Sequence, residues 1–125
     1  MRIDLLLLLC ALHSIFFGLF HLAFWKLFHW PESLAASGKV NSAITQILNL
    51  RITYIAFGVG ALCLVFPQEL HHTPLGRAQL GGMSVFWIGR TVEQFVFLKI
   101  DRLLVHALTA LFILGAIAFA LPLFY

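Results

Sequence analysis

The chain has 125 residues and a formal net charge of +3, with 62% hydrophobic and only 10% charged residues. Its mean hydropathy of +0.99 excludes an ordinary soluble domain, and no basic surface with interleaved aromatic residues indicates a nucleic-acid partner. We therefore predict one transmembrane domain over residues 1–125, with the lipid bilayer as its partner.

The first apolar segment, residues 5–25, contains no Asp, Glu, Lys or Arg. It is long enough to supply the ~20 residues that a helix needs to cross the hydrocarbon core. Trp25 and Lys26 form an aromatic and basic border, as is common where a helix meets the headgroups. A cleaved signal peptide is the alternative, because Arg2 precedes a leucine run. Asp4 offsets that positive end and no small-residue cleavage site follows, so we predict a spanning helix.

The second segment, residues 44–66, is free of charge only after Arg51, whose long side chain we expect to reach the interface. Pro67 ends the segment, and the turn-forming residues 67–79 are expected to form a loop. Polar residues spaced by three or four place a polar stripe along one face of this helix. The members of the stripe are Ser42, Gln46, Asn49 and Thr53.

The third segment, residues 80–98, contains Arg90 and Glu93. It would be marginal if inserted alone, because an Arg at the centre of a helix costs ~2.5–3.5 kcal/mol. At 100° per residue, both charges and Gln94 lie on one side and apolar residues cover the opposite side, so we predict a spanning helix with its polar side facing protein. The spacing of three also allows Arg90 and Glu93 to pair along the helix. A helix lying flat in the interface is the alternative.

The fourth segment, residues 103–124, has only His106 and Thr109 as polar interruptions, with Pro122 in its last turn. Four hydrophobic helices with short connections predict an all-α integral membrane four-helix bundle of antiparallel, up-down topology. Cytoplasmic loops retain Lys and Arg, and these residues concentrate around the first and third loops. We therefore predict both termini outside the cytoplasm, in a plasma membrane or bacterial inner membrane. The two sides carry Lys26, Lys39, Arg51, Lys99 and Arg102 against Arg2 and Arg77.

Polar residues of all four helices fall at similar distances from the cytoplasmic ends, which predicts a polar layer inside the membrane. In a functional interpretation, this layer forms a site for a proton, an ion, an anionic headgroup or a cofactor. In a structural interpretation, the two charges of the third helix neutralise each other and fix the helix register. The predicted members of the layer are His21, Asn49, Arg90, Glu93, Gln94 and His106.

His21, Glu93 and His106 are residue types that bind metals. Two imidazoles and a carboxylate can ligate iron, and two facing imidazoles can ligate haem. Their spacing follows no metal motif, so we predict no metal ligand and leave the cofactor open. No pattern indicates a catalytic residue. Cys10 and Cys63 are not part of a C-x-x-C motif and are expected to be small buried residues.

Three hypotheses for the function follow from this pattern. Proton- or ion-coupled transport or permeation through the polar layer is preferred. An accessory subunit of a larger membrane complex is the first alternative, and a membrane-embedded enzyme or cofactor-binding bundle is the second. A bundle of 125 residues has little interior to shelter a pathway, so a homo-oligomer or a larger complex is compatible with each.

Overall fold

The protein is all-helical in its computed structural model, which describes residues 2–125, and no β-strand occurs in that range. Two short 3₁₀ segments, Glu32–Ser37 and Leu121–Phe124, lie between or after the α-helices. The α-helices are α1 (Ile3–Leu22), α2 (Phe24–Leu27), α3 (Lys39–Val65), α4 (Pro67–His72), α5 (Pro74–Phe97) and α6 (Leu103–Ala120).

Three helical segments in the described part of the chain are long and apolar enough to cross a membrane. They are α1, α3 and Leu103–Phe124, which joins α6 to its terminal 3₁₀ turn. The predicted all-helical fold is thus confirmed, and the three apolar helices support a location in a membrane. Helix α5 is not among the three because its charged and amide side chains lower its hydropathy. The fourth crossing stays a prediction.

The expected loop at residues 67–79 is wrong, because α4 and the first turns of α5 occupy it. Pro67 and Pro74 each stand at the first position of a helix, where the missing N–H of proline costs nothing. Thr73 caps α5, since its hydroxyl accepts a hydrogen bond from the Gly76 N–H at 3.0 Å. Helix α5 therefore begins six residues before the expected start at residue 80.

The chain forms two compact units. One unit, here called the hairpin unit, is Ala11–Leu62. It contains most of α1 and α3 with the connection between them. The other, here called the C-terminal unit, combines the N-terminal segment through Cys10 with Cys63–Tyr125, and so contains α4, α5 and α6.

Small residues bring the two helices of the hairpin unit close together. A Cβ added to Gly18 would lie 2.8 Å from the Phe57 ring, and one added to Gly60 would lie 2.8 Å from Cγ1 of Ile15. These pairs occur in opposite order along α1 and α3, so the two helices are antiparallel. Glycine therefore permits an approach that a larger residue would prevent.

Helices α5 and α6 of the C-terminal unit are likewise antiparallel. The Ser84 hydroxyl donates to the Ala116 carbonyl oxygen at 2.7 Å, and the Trp87 and Phe112 rings stack with centroids 5.5 Å apart. Cys10 and Cys63 are free and buried, which confirms their expected place. The buried apolar side chains of this unit include Leu6, Leu7, Leu70, Leu80, Trp87, Phe112 and Phe119.

Candidate functional site

Helix α5 holds Arg90 half-buried in the C-terminal unit. The carbon at the centre of its guanidinium lies 4.5 Å from the centroid of the Phe112 ring on α6. A cation over an aromatic face is attracted by the negative face of the ring, and this attraction is stronger where water is excluded. The aromatic ring therefore stabilises the half-buried positive charge of Arg90.

Glu93 is exposed on the same helix. Within residues 2–125 its carboxylate forms neither an ion pair nor a hydrogen bond, so the expected pair with Arg90 does not form. The spacing of three residues allows such a pair, but the direction of the Arg90 side chain prevents it. Arg90 turns towards Phe112 on α6, whereas Glu93 lies further round towards the exposed face.

His106 pairs with Asp101 at the start of α6. Its Nε2 donates to the Asp101 carboxylate at 2.8 Å, and both side chains are largely exposed. Asp101 was absent from the predicted polar layer. An acid five residues before a histidine at a helix start was the signal available in the sequence, but no general spacing rule connects those two positions.

Gln94 is buried between α5 and α6, with 2% of its surface exposed. Its Nε2 donates to the Val105 carbonyl oxygen at 3.1 Å. The same carbonyl accepts a second hydrogen bond from the Thr109 hydroxyl at 2.9 Å. Oε1 of Gln94 has no hydrogen-bond partner within the described residues. A buried acceptor of this kind carries a desolvation cost that a ligand can remove.

His21 and Asn49 come together in the hairpin unit. The buried Asn49 amide donates to the His21 backbone carbonyl oxygen at 2.8 Å. The His21 ring interacts with its own helix, since Nδ1 lies 2.7 Å from the Phe17 carbonyl oxygen and must be the protonated nitrogen. The side chain of Asn49 on α3 thus bonds to the backbone of α1.

A second polar contact in the hairpin unit was missed by the sequence reasoning. The indole N–H of Trp25 donates to the Gln46 side-chain oxygen at 2.9 Å. Gln46 belongs to the predicted stripe of α3, and Trp25 to the predicted aromatic border. Both residues were identified, but only tertiary structure shows that they meet.

The six predicted members of the polar layer therefore divide between the two units. His21 and Asn49 contact each other in the hairpin unit, whereas α5 and α6 carry the other four residues in the C-terminal unit. In the C-terminal unit, Gln94 contacts the Val105 carbonyl oxygen of α6. Arg90 contacts the Phe112 ring of the same helix. A layer that unites all six residues stays a prediction.

Metal binding has no geometric support in residues 2–125, where no three His, Cys, Asp or Glu side chains lie close enough to hold an ion. Comparison with protein-family models, curated proteins and solved structures finds no match to the chain. The charged face of α5 and the turn between α5 and α6 are thus the features of the chain that bear on its function.

Proposed function

We propose that the protein is a small multi-pass membrane protein in which α1, α3, α5 and α6 all cross, and that it moves a proton or a small ion along the charged face of α5. The proposed location is the plasma membrane, with both termini outside the cytoplasm. At 1.5 Å per residue, the 24 residues of α5 extend about 36 Å, which is enough to cross the hydrocarbon core.

The exposed carboxylate of Glu93 carries this proposal. It lies four residues before the last residue of α5, at a depth of about 6 Å from the helix end. A carboxylate that faces acyl chains is costly, and such residues usually line protein or water and bind or relay charge. Glu93 is therefore suited to be the group that takes up and releases the transported proton or binds the transported cation.

A second protein surface is needed to shield that carboxylate from lipid. The same side of α5 is flat near Glu93, because Cβ atoms added to Gly82 or Gly89 would meet nothing within 4 Å. Gly82, Gly89 and Glu93 are spaced seven and four residues apart, so they share one side of the helix. A flat helix surface permits close approach of another helix in the membrane.

A second copy of the chain can supply this second surface. In a dimer with its two-fold axis along the membrane normal, each surface meets itself. The two Glu93 side chains then lie at the same level, one on each side of the axis. The proposed pathway runs between the two α5 helices, where both carboxylates are protected from lipid.

Proton or cation flux into liposomes tests the proposed activity. The purified chain is reconstituted, and flux is driven by a potassium diffusion potential. Glu93→Gln keeps the shape of the side chain but removes its charge, so we expect flux to fall to the level of protein-free liposomes. Glu69→Gln, at an exposed site on α4, is the matched control and should conduct normally. Wild-type flux no greater than that of empty liposomes would refute the transport proposal.

Cysteine crosslinking tests the dimer separately. With Cys10 and Cys63 replaced by alanine, Gly89→Cys should form a disulfide-linked dimer in native membranes. Gly58→Cys is the matched control, since Gly58 is equally open but lies on α3. Equal crosslinking of the two variants would refute the α5 interface. Recovery of a different chain in fixed ratio, without flux, would instead identify an accessory subunit of a larger complex.

A further inference from the structure

A cavity of about 290 Å³ opens at the turn between α5 and α6. Phe95, Leu98 and Ile100 make much of its wall apolar, and Gln94, Lys99 and His106 add polar groups. The spanning segment that contains α6 begins at Leu103. The cavity therefore extends from the membrane surface near Lys99 into the membrane near Gln94.

The polar groups of the cavity differ in the ligand groups that they can bind. Gln94 is one of the residues that line the cavity, and its buried Oε1 is an acceptor without a partner in residues 2–125. It requires a donor, which reaches it from the cavity when the amide group turns towards the cavity. The Lys99 ammonium is in no ion pair within the same residues and attracts an anion. Asp101 also lines the cavity, but its carboxylate is engaged by His106 at 2.8 Å.

The N-terminus of α6 adds to the attraction for an anion. Arg102 is its N-cap residue, and no side chain caps the first-turn N–H groups of the helix. Unpaired N–H groups and the helix dipole favour negative charge at this end. The anion-binding end of the cavity is thus at the membrane surface, and the hydrogen-bond acceptor lies deeper.

We propose that this cavity binds a single-chain phosphate amphiphile with a free hydroxyl, of the monoacyl glycerophosphate class. The phosphate lies at Lys99, the glycerol hydroxyl donates to Gln94 Oε1, and the acyl chain follows Phe95 towards the membrane interior. A diacyl lipid has its second hydroxyl esterified and offers no donor at that depth. The site is separate from the Glu93 face, so it rests on the proposed crossing of α5 but not on the proposed transport.

Native mass spectrometry of the detergent-solubilised full chain measures this binding with a matched pair of lipids. The first is 1-oleoyl-glycerol 3-phosphate, and the second is 1-oleoyl-propanediol 3-phosphate, which lacks only the hydroxyl. Loss of one hydrogen bond to a buried acceptor should weaken binding about tenfold. Equal affinity for the two lipids would overturn the proposal.

Substitutions at Gln94 and Lys99 test the proposed hydroxyl and phosphate contacts separately. Gln94→Leu should make the two lipids bind equally, and the Val105 carbonyl keeps its bond from Thr109 in this variant. Lys99→Gln changes an exposed residue and should weaken both lipids about equally. Lys26→Gln, an exposed lysine of the hairpin unit, is the control and should change neither. A hydroxyl preference that persists in Gln94→Leu would overturn the assignment of that contact.

A soluble ligand distinguishes the source of the phosphate. Glycerol 3-phosphate has the same phosphate and hydroxyl groups without the chain, so it should compete only at concentrations far above those of the lipid. Competition at lipid-like concentration would overturn the lipid assignment in favour of a soluble phosphate ester. If Gln94→Leu does not fold, comparison of the two lipids on the wild-type chain and on Lys99→Gln still tests the proposal.

Discussion

Individual polar residues in this chain form hydrogen bonds with backbone groups more often than with each other. Asn49 donates to a carbonyl of α1, Gln94 to a carbonyl of α6, and Ser84 to another carbonyl of α6. Hydrogen bonds from side chains to a neighbouring helix hold membrane helices together without a hydrophobic driving force. The polar residues therefore stabilise helix pairs, whatever further role Glu93 has.

Asn49→Ala should destabilise the hairpin unit, because it removes a buried hydrogen bond between α1 and α3. We expect a loss of ~0.5–1.5 kcal/mol in the free energy of unfolding. Unfolding by increasing mole fractions of a denaturing detergent, followed by circular dichroism, provides the measurement. Asn41→Ala removes a local bond on the exposed start of the same helix and should cost less. If both variants lose the same free energy of unfolding, the hydrogen bond between α1 and α3 does not account for the effect of Asn49→Ala.

The sequence identified the residues of the candidate site better than their partners. Hydropathy and spacing identified Arg90, Glu93 and Gln94 as the polar side of α5, but not the turn of Arg90 towards Phe112. An ion pair between Arg90 and Glu93 is allowed by spacing, yet the side-chain direction depends on which helix packs alongside. Contacts such as Trp25 with Gln46 likewise depend on tertiary packing.

Helix ends were harder to predict than helix positions. Pro67 is expected from the sequence to end the second segment and residues 67–79 to form a loop, but Pro67 and Pro74 each begin a helix. A proline in the first helical turn loses no hydrogen bond, so its meaning depends on which side of it the helix lies. Apolar periodicity cannot decide this, because α4 is short and mostly polar.

The corner between α4 and α5 depends on Gly76. A Cβ at this position would come closer than van der Waals contact to the Glu69 carbonyl oxygen and the Leu70 Cα. Gly76→Ala should therefore move the backbone and cost about 1–3 kcal/mol, as overpacking does. Gly58→Ala, where an added Cβ meets nothing within 4 Å, is the control. Thermal unfolding of the two proteins in the same detergent compares them, and equal midpoints would contradict a tight corner.

The membrane topology of the whole molecule depends on α5. If α5 crosses, the chain crosses four times and both termini are on the same side; if α5 lies flat, three crossings place them on opposite sides. We expect tags at the N-terminus and the C-terminus to be cleaved together by a protease added outside intact cells. Cleavage of only one tag until the cells are opened would exclude the fourth crossing, and a cytoplasmic control protein reports leakage.

Residues far apart in the chain complete the C-terminal unit. The Cys10 thiol donates to the Ala118 carbonyl oxygen at 3.1 Å, across a sequence separation of 108. The ribosome makes all of Ala11–Leu62 long before it reaches Ala118, so the hairpin unit can assemble while synthesis continues. The Cys10 contact with α6 cannot form until α6 has been synthesised. Maturation of this protein should therefore proceed in two stages. The hairpin unit forms first, and the contact between Cys10 and α6 forms after the last helix has been made.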